Sequence, residues 1–102
     1  MSIKKQYLKS KGVCKCTFRL PKAAAPAADL VHIVGDFNDW SNEATPMTRL
    51  KSGEFKVELA LEPGKQYQFR YLIDQRDWEN DWEADSYTPS TAFPAENSVV
   101  SV

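Results

Sequence analysis

The chain has 102 residues, a formal net charge of −1 and 42% hydrophobic residues. A chain of this length supports one domain with a two-layer core, and the near-neutral charge argues against a dedicated nucleic-acid binder, which carries a basic excess. Apolar runs are only a few residues long and the start of the chain is polar and basic, so no membrane span and no secretory signal are expected, and a cytoplasmic location follows.

Residues 1–12 contain Lys4, Lys5, Lys9 and Lys11 and no acid, and read as a basic arm or a weak first strand. From Val13 to Leu20 the chain alternates. Cys14, Cys16, Phe18 and Leu20 face one way and Lys15, Thr17 and Arg19 the other, the pattern of a half-buried strand. Two residues apart along a strand is about 6.6 Å, the far limit of disulfide geometry. With His32 as the only histidine and no third cysteine, a zinc set is incomplete. Cys14 and Cys16 are therefore expected to be reduced, buried and free of metal. Pro21 ends the strand, and Pro26 makes the Ala-rich segment after it a loop rather than a helix.

Leu30 to Val34 reads as a strand, with His32 a packed or edge residue, and Gly35 bounds it. Asp36 to Asn42 is rich in turn formers with Phe37 and Trp40 embedded. Glu54 to Leu61 turns Phe55, Val57, Leu59 and Leu61 inward. Glu62 to Lys65 is a turn, and Gln66 to Asp74 turns Tyr67, Phe69, Tyr71 and Ile73 inward and Gln68, Arg70 and Leu72 outward. These two runs are expected to pair as a hairpin. Asn97 to Val102 is a last short strand. Six or seven short strands separated by turns predict an all-β, immunoglobulin-like sandwich over residues 13–102. Its expected core is Phe18, Leu20, Val31, Ile33, Phe55, Val57, Leu59, Tyr67, Phe69, Tyr71 and Ile73.

The stretch from Asp74 to Asp85 is acidic, but it lacks the glycine and the spacing of a calcium loop. Two carboxylates flanking a scissile bond would suit a glycosidase, yet a bare sandwich offers no deep cleft, so most of these carboxylates read as a solvated loop. Trp40, Trp78 and Trp82 fall outside the alternating runs, among Asp, Asn and Glu. A flat indole in polar surroundings suits stacking on the C–H face of a pyranose, with amides or a guanidinium around the rim for the hydroxyls. Asn38, Gln68, Arg70 and Asn97 are of that type.

Several segments resemble one family. Val34-Gly35-Asp36-Phe37-Asn38-Asp39-Trp40 is similar to the V-G-x-F-N-x-W signature of carbohydrate-binding module family 48. The run from Glu62 to Asp74 resembles its L-x-P-G-x-Y-x-Y-K-F-x-V-D-G segment. Met47 to Leu50, Asn80 to Asp85 and Glu96 to Val102 resemble three further motifs, in the right order. That family includes the glycogen-binding domain of the AMP-activated protein kinase β subunit, and the early-set domains that precede isoamylase and glycogen-branching barrels.

The resemblance implies an early-set sandwich that binds an α-1,4-glucan polysaccharide or maltooligosaccharide such as glycogen or starch, without catalysis and without cofactor or metal. It implies stacking on Trp40 and Trp78, hydrogen bonding by Arg70 and Asn97, and an apolar contact from Phe93. The Ile73-Asp74-Gln75 turn is one residue longer than the family's, and Trp82 stands where many relatives have Pro, so Trp82 is also a candidate platform. The alternative is an interaction module that docks on a separate glucan-metabolising enzyme and binds no sugar. A glycoside hydrolase barrel of some 250 residues is not contained in these 102.

Overall fold

The computed structural model describes residues 3–90 and 96–102. The period-2 runs become strands because each buries one face against the opposite layer. Chain order is β1 (Lys4–Leu8), β2 (Val13–Leu20), β3 (Val31–Gly35), β4 (Thr48–Arg49), β5 (Phe55–Leu61), β6 (Gln66–Ile73), β7 (Asp77–Glu79), β8 (Ser86–Pro89) and β9 (Glu96–Ser101). One antiparallel sheet has the order β1-β2-β5-β4; the other has β3-β6-β9-β8, with β7 also on β6. This is the all-β, immunoglobulin-like sandwich that the alternation predicts. The only helical pieces among the described residues are three single 3-10 turns, at Lys9–Lys11, Lys22–Ala24 and Asp36–Asn38.

Seven of the eleven expected core residues are buried: Phe18, Leu20, Val31, Ile33, Phe55, Phe69 and Tyr71. Val57, Leu59, Tyr67 and Ile73 pack against them while half-buried. Aromatic edges hold the centre, with Phe69 lying 5.1 Å from Phe18 and 5.7 Å from Tyr71 between ring centroids. Residues 4–8 form a strand whose register pairs Lys4 with Thr17 and Leu8 with Val13. Cys14 and Cys16 are free and buried, with sulfurs 3.8 Å apart. Burial, then the hydrogen bond to Cys14, pushes the Cys16 thiol up to about 12, so it is an inert thiol at neutral pH.

The expected hairpin between Phe55–Leu61 and Gln66–Ile73 does not form. β5 pairs with β2 and β4, whereas β6 pairs with β3, β7 and β9. The turn between them crosses from one sheet to the other. Both strands carry a full apolar face, and facing each other across the core buries both, which lying side by side in one sheet would not. The Tyr67 hydroxyl closes this arch. It donates to the Glu62 carbonyl and accepts from the Glu62 amide, both at 3.1 Å. The strands β7 and β8 were not expected, because Asp77–Glu79 and Ser86–Pro89 are short and lack an alternating apolar set.

Candidate functional site

The site begins where β3 ends. Gly35 lies so close to β6 that an added Cβ would be 2.5 Å from the Gln68 carbonyl oxygen and 2.7 Å from the Phe69 Cβ. Beyond it the chain turns over Asp36–Asn38 and then enters the left-handed region twice in succession, at Asp39 (φ 56°) and Trp40 (φ 57°). A bulky aromatic rarely adopts that backbone, and local bonds hold it there. The Trp40 amide donates to the Gly35 carbonyl at 2.9 Å. The indole Nε1 donates to Asp36 Oδ1 at 2.9 Å, and Asp36 Oδ2 accepts the Gln68 amide of β6 at 2.7 Å. One carboxylate thus ties the Trp40 ring to the central strand of its sheet. Asn38 is used up in folding the loop. It accepts from the Gly35 amide and donates to the Ile33 carbonyl and to Thr45 Oγ1, each at 3.0 Å. It is therefore not a free partner for sugar hydroxyls.

Register gathers the other candidates on the face of this sheet turned away from the core. β6 presents Gln68, Arg70 and Leu72 there; Val34 and His32 of β3 stand opposite Arg70 and Leu72. Trp78 of β7 also stands opposite Leu72, and Val99 of β9 opposite Gln68. Asn97 lies on the same side, two residues from Val99. Its amide group links two neighbours: Oδ1 accepts from Arg70 Nε at 2.8 Å and Nδ2 donates to Gln68 Oε1 at 2.9 Å. Arg70 Nη2 donates to the Glu96 carbonyl at 2.6 Å. Arg70 was expected to lie open on this face, but only 5% of it is exposed. Burial also draws its pKa downward. It braces β9 against β6, and Leu72 and Val34 beside it are buried as well.

The loop that carries Trp40 and the hairpin that carries Trp78 meet over His32. Asp74 (φ 52°) and Gln75 (φ 57°) form the tip between β6 and β7, both left-handed as a type I′ turn requires. Glycine or asparagine is the usual occupant of such a position, yet here it is glutamine. Gln75 Nε2 donates to the Asn42 carbonyl at 2.8 Å and lies 3.1 Å from His32 Nδ1.

A tryptophan-bearing turn fixed to a glycine that touches the next strand is the structural form of the Val34–Trp40 motif. The family described as Carbohydrate-binding module 48 (Isoamylase N-terminal domain) matches residues 21–88, more than half of the chain. The chain belongs to carbohydrate-binding module family 48. It is also 38% identical over 60 residues to the 1,4-alpha-glucan branching enzyme GlgB of Aquifex aeolicus (strain VF5), a stretch covering 56% of this chain and 9% of that protein. With the 1,4-alpha-glucan branching enzyme GlgB of Deinococcus radiodurans it shares 45% identity over 47 residues, covering 45% of this chain and 7% of that protein. The chain thus spans under a tenth of either relative.

Within this module-48 domain the predicted residues divide. Arg70, Asn97 and Gln68 form one hydrogen-bonded row, Trp78 shares their face by register, and Trp40 joins the row through Asp36. Trp82 does not. It lines a separate cleft with Arg19 of β2 and with Pro21 and Glu54, which flank β2 and β5 of the other sheet. Phe93 lies outside the described residues. None of the three tryptophans belongs to the core cluster. Asp81 departs from the expected solvated loop. It is buried and accepts the Tyr71 hydroxyl at 2.6 Å, and burial raises its carboxyl pKa. Asp36 and Gln75 escaped the sequence reading. The only signal for Gln75 was a glutamine in a turn that resembles V-D-G. For Asp36 there was none, since its role depends on a strand that lies far along the chain.

No helix among the described residues is long and apolar enough to cross a membrane, and these residues bring together no group of His, Cys, Asp and Glu suited to a metal ion.

Proposed function

We propose that this domain is a non-catalytic binding module for α-1,4-glucan, and that glucose rings stack on Trp40 and Trp78 on the outer face of the β3-β6-β9 sheet. The single observation that carries the reading is Trp40. A tryptophan is held in left-handed backbone, with its ring clamped by Asp36 and excluded from the core. Strain of this kind persists where the surroundings over-determine it, and it gathers at functional sites. The family and the branching enzymes of two bacteria support a glucan as the ligand class.

Asn97 and Arg70 serve the site differently from one another. Asn97 is itself only 4% exposed, with both ends of its amide engaged, so it orients Gln68 beside the platform. Arg70 holds Asn97 in place and stiffens the face, so its contribution to affinity is largely indirect. Phe93 belongs to the proposal on the resemblance alone. Buried free thiols fit a reducing compartment such as the cytoplasm, and a separate glucan-metabolising enzyme is the natural associate of such a module. Stacking and solvent-competing hydrogen bonds give an affinity on the order of micromolar to millimolar.

The test is electrophoretic retardation in gels cast with and without glycogen. Trp40→Ala is expected to lose roughly 1–3 kcal/mol of binding, as when a base loses an aromatic platform, while keeping the wild-type circular dichroism. Undiminished retardation in folded Trp40→Ala would refute the assignment. So would release of reducing sugar that scales with the protein and is lost on changing one carboxylate between Asp77 and Asp85.

A further inference from the structure

Trp82 is among the most exposed large apolar side chains described, at 54%, yet it follows a residue that is tightly bonded. All four polar groups of the preceding residue, Asp81, are engaged. Its amide donates to Ser98 Oγ at 2.8 Å and its carbonyl accepts the Tyr87 hydroxyl at 2.5 Å. Its Oδ1 accepts the Glu83 amide at 2.8 Å and its Oδ2 the Tyr71 hydroxyl at 2.6 Å. A mobile surface loop that happens to contain a tryptophan would not be fastened in this way. The arrangement fixes the backbone from which an apolar ring projects into water, so less backbone ordering remains to oppose a ligand.

Beside the ring lies a cleft of about 230 Å³ lined by Arg19, Pro21, Glu54, Asp81, Trp82 and Glu83. Arg19 Nη1 and Glu54 Oε1 are 3.4 Å apart, and both side chains keep more than a third of their exposure. Glu54 and Glu83, two carboxylates to one guanidinium, disfavour an anion. A neutral polyol suits the cleft better. Its hydroxyls donate to the Glu54 and Glu83 carboxylates and accept from the guanidinium, and its C–H face lies on indole. None of these lining residues is on the face that carries Arg70, Asn97 and Trp78.

We infer that the Trp82 cleft is a second, independent sugar-binding site, taking one or two rings of a neutral oligosaccharide. The choice of sugar rests on the reading of the domain as a glucan binder; the independence of the site does not. Two sites on one small domain let a single branched polymer engage both, which raises retention on the polymer far above the affinity of either site alone.

The experiment follows the indole N–H signals of Trp40, Trp78 and Trp82 by two-dimensional NMR of the full chain titrated with maltoheptaose. It is run on the wild type, on Trp40→Ala and on Arg19→Gln. The expected result is a saturable shift of the Trp82 indole whose midpoint is unchanged in Trp40→Ala and several-fold weaker in Arg19→Gln. Trp82→Ala is expected to reduce glycogen retardation several-fold while leaving the Trp40 titration as it was. A Trp82 signal that stays still while Trp40 and Trp78 move overturns the second site and leaves the first standing. A Trp82 shift that vanishes in Trp40→Ala shows one site with a distant echo, and also overturns the inference. If no indole moves at millimolar sugar, both readings fail.

Discussion

At Gly35 the backbone is extended (φ −173°), so any residue could adopt it; what glycine supplies there is room. A Cβ 2.5 Å from a carbonyl oxygen forces β3 and β6 apart, and overpacking of this sort costs about 1–3 kcal/mol. Gly35→Ala should therefore lower the unfolding free energy by that amount, read as a lower urea midpoint, and should disturb Trp40 fluorescence as well, because the Trp40 amide bonds to the Gly35 carbonyl. A midpoint within error of wild type would contradict the packing argument. Arg70 makes a related point about legibility. Alternation placed it on the outer face correctly. Its burial depends on Asn97 and the Glu96 carbonyl, more than twenty residues away along the chain, and local pattern carries no such information. Arg70→Ala would leave the buried Asn97 Oδ1 without this donor, whereas the Glu96 carbonyl keeps Asn80 Nδ2 at 2.9 Å, so a loss of about 1–3 kcal/mol is expected in unfolding experiments.

The turn between β6 and β7 separates folding from binding. A non-glycine residue in left-handed backbone costs roughly 1–2 kcal/mol, and glycine removes that cost. Gln75→Gly should leave the melting temperature unchanged or raised. It also removes the bond to the Asn42 carbonyl that joins the Trp40 loop to the Trp78 hairpin, so glycogen retardation should weaken several-fold. A variant that binds as tightly as wild type would show that the bridge is ornamental. In the same turn, Asp74 Oδ1 accepts the amides of Asp29 and Leu30 at 2.9 and 3.0 Å, and these bonds, Leu30 first, hold its pKa below the ordinary value. The carboxylate is favoured in the folded state, so its contribution is present above the unfolded pKa of about 3.9 and is lost as pH falls through the lower folded value. The stability gap between wild type and Asp74→Asn should accordingly be open at about pH 6 and close towards about pH 2. Urea midpoints across that range would check it, and a gap that widens in acid would contradict the sign.

Across the whole molecule, both sheets share one core. Phe18 of β2 meets Phe69 of β6, and the radius of gyration is 13.1 Å, close to the roughly 13 Å of a chain this size folded as one unit. Thermal unfolding followed by tryptophan fluorescence and by far-ultraviolet circular dichroism should give coincident curves, as for a single cooperative transition. Separate midpoints would mean that the sheets melt independently. The arch between β5 and β6 makes this coupling physical, since the Tyr67 hydroxyl fastens the crossing at Glu62. Tyr67→Phe is expected to cost about 1 kcal/mol.

The sequence by itself determined which side chains face inward, because in a strand direction follows from parity alone. Phe18, Leu20, Val31, Ile33, Phe55, Phe69 and Tyr71 could be named from alternation, and the three tryptophans could be set outside the core because they fall outside the alternating runs. Parity says nothing about neighbours. That β5 and β6 lie in different sheets was decided by the gain from burying two apolar faces against each other. That Arg70 is buried, that Asp36 holds Trp40 to β6, that Asp81 reaches Tyr71 in the core, and that Trp82 faces a cleft of its own were decided by contacts between segments distant in the chain. Such contacts exist only once the two layers have closed.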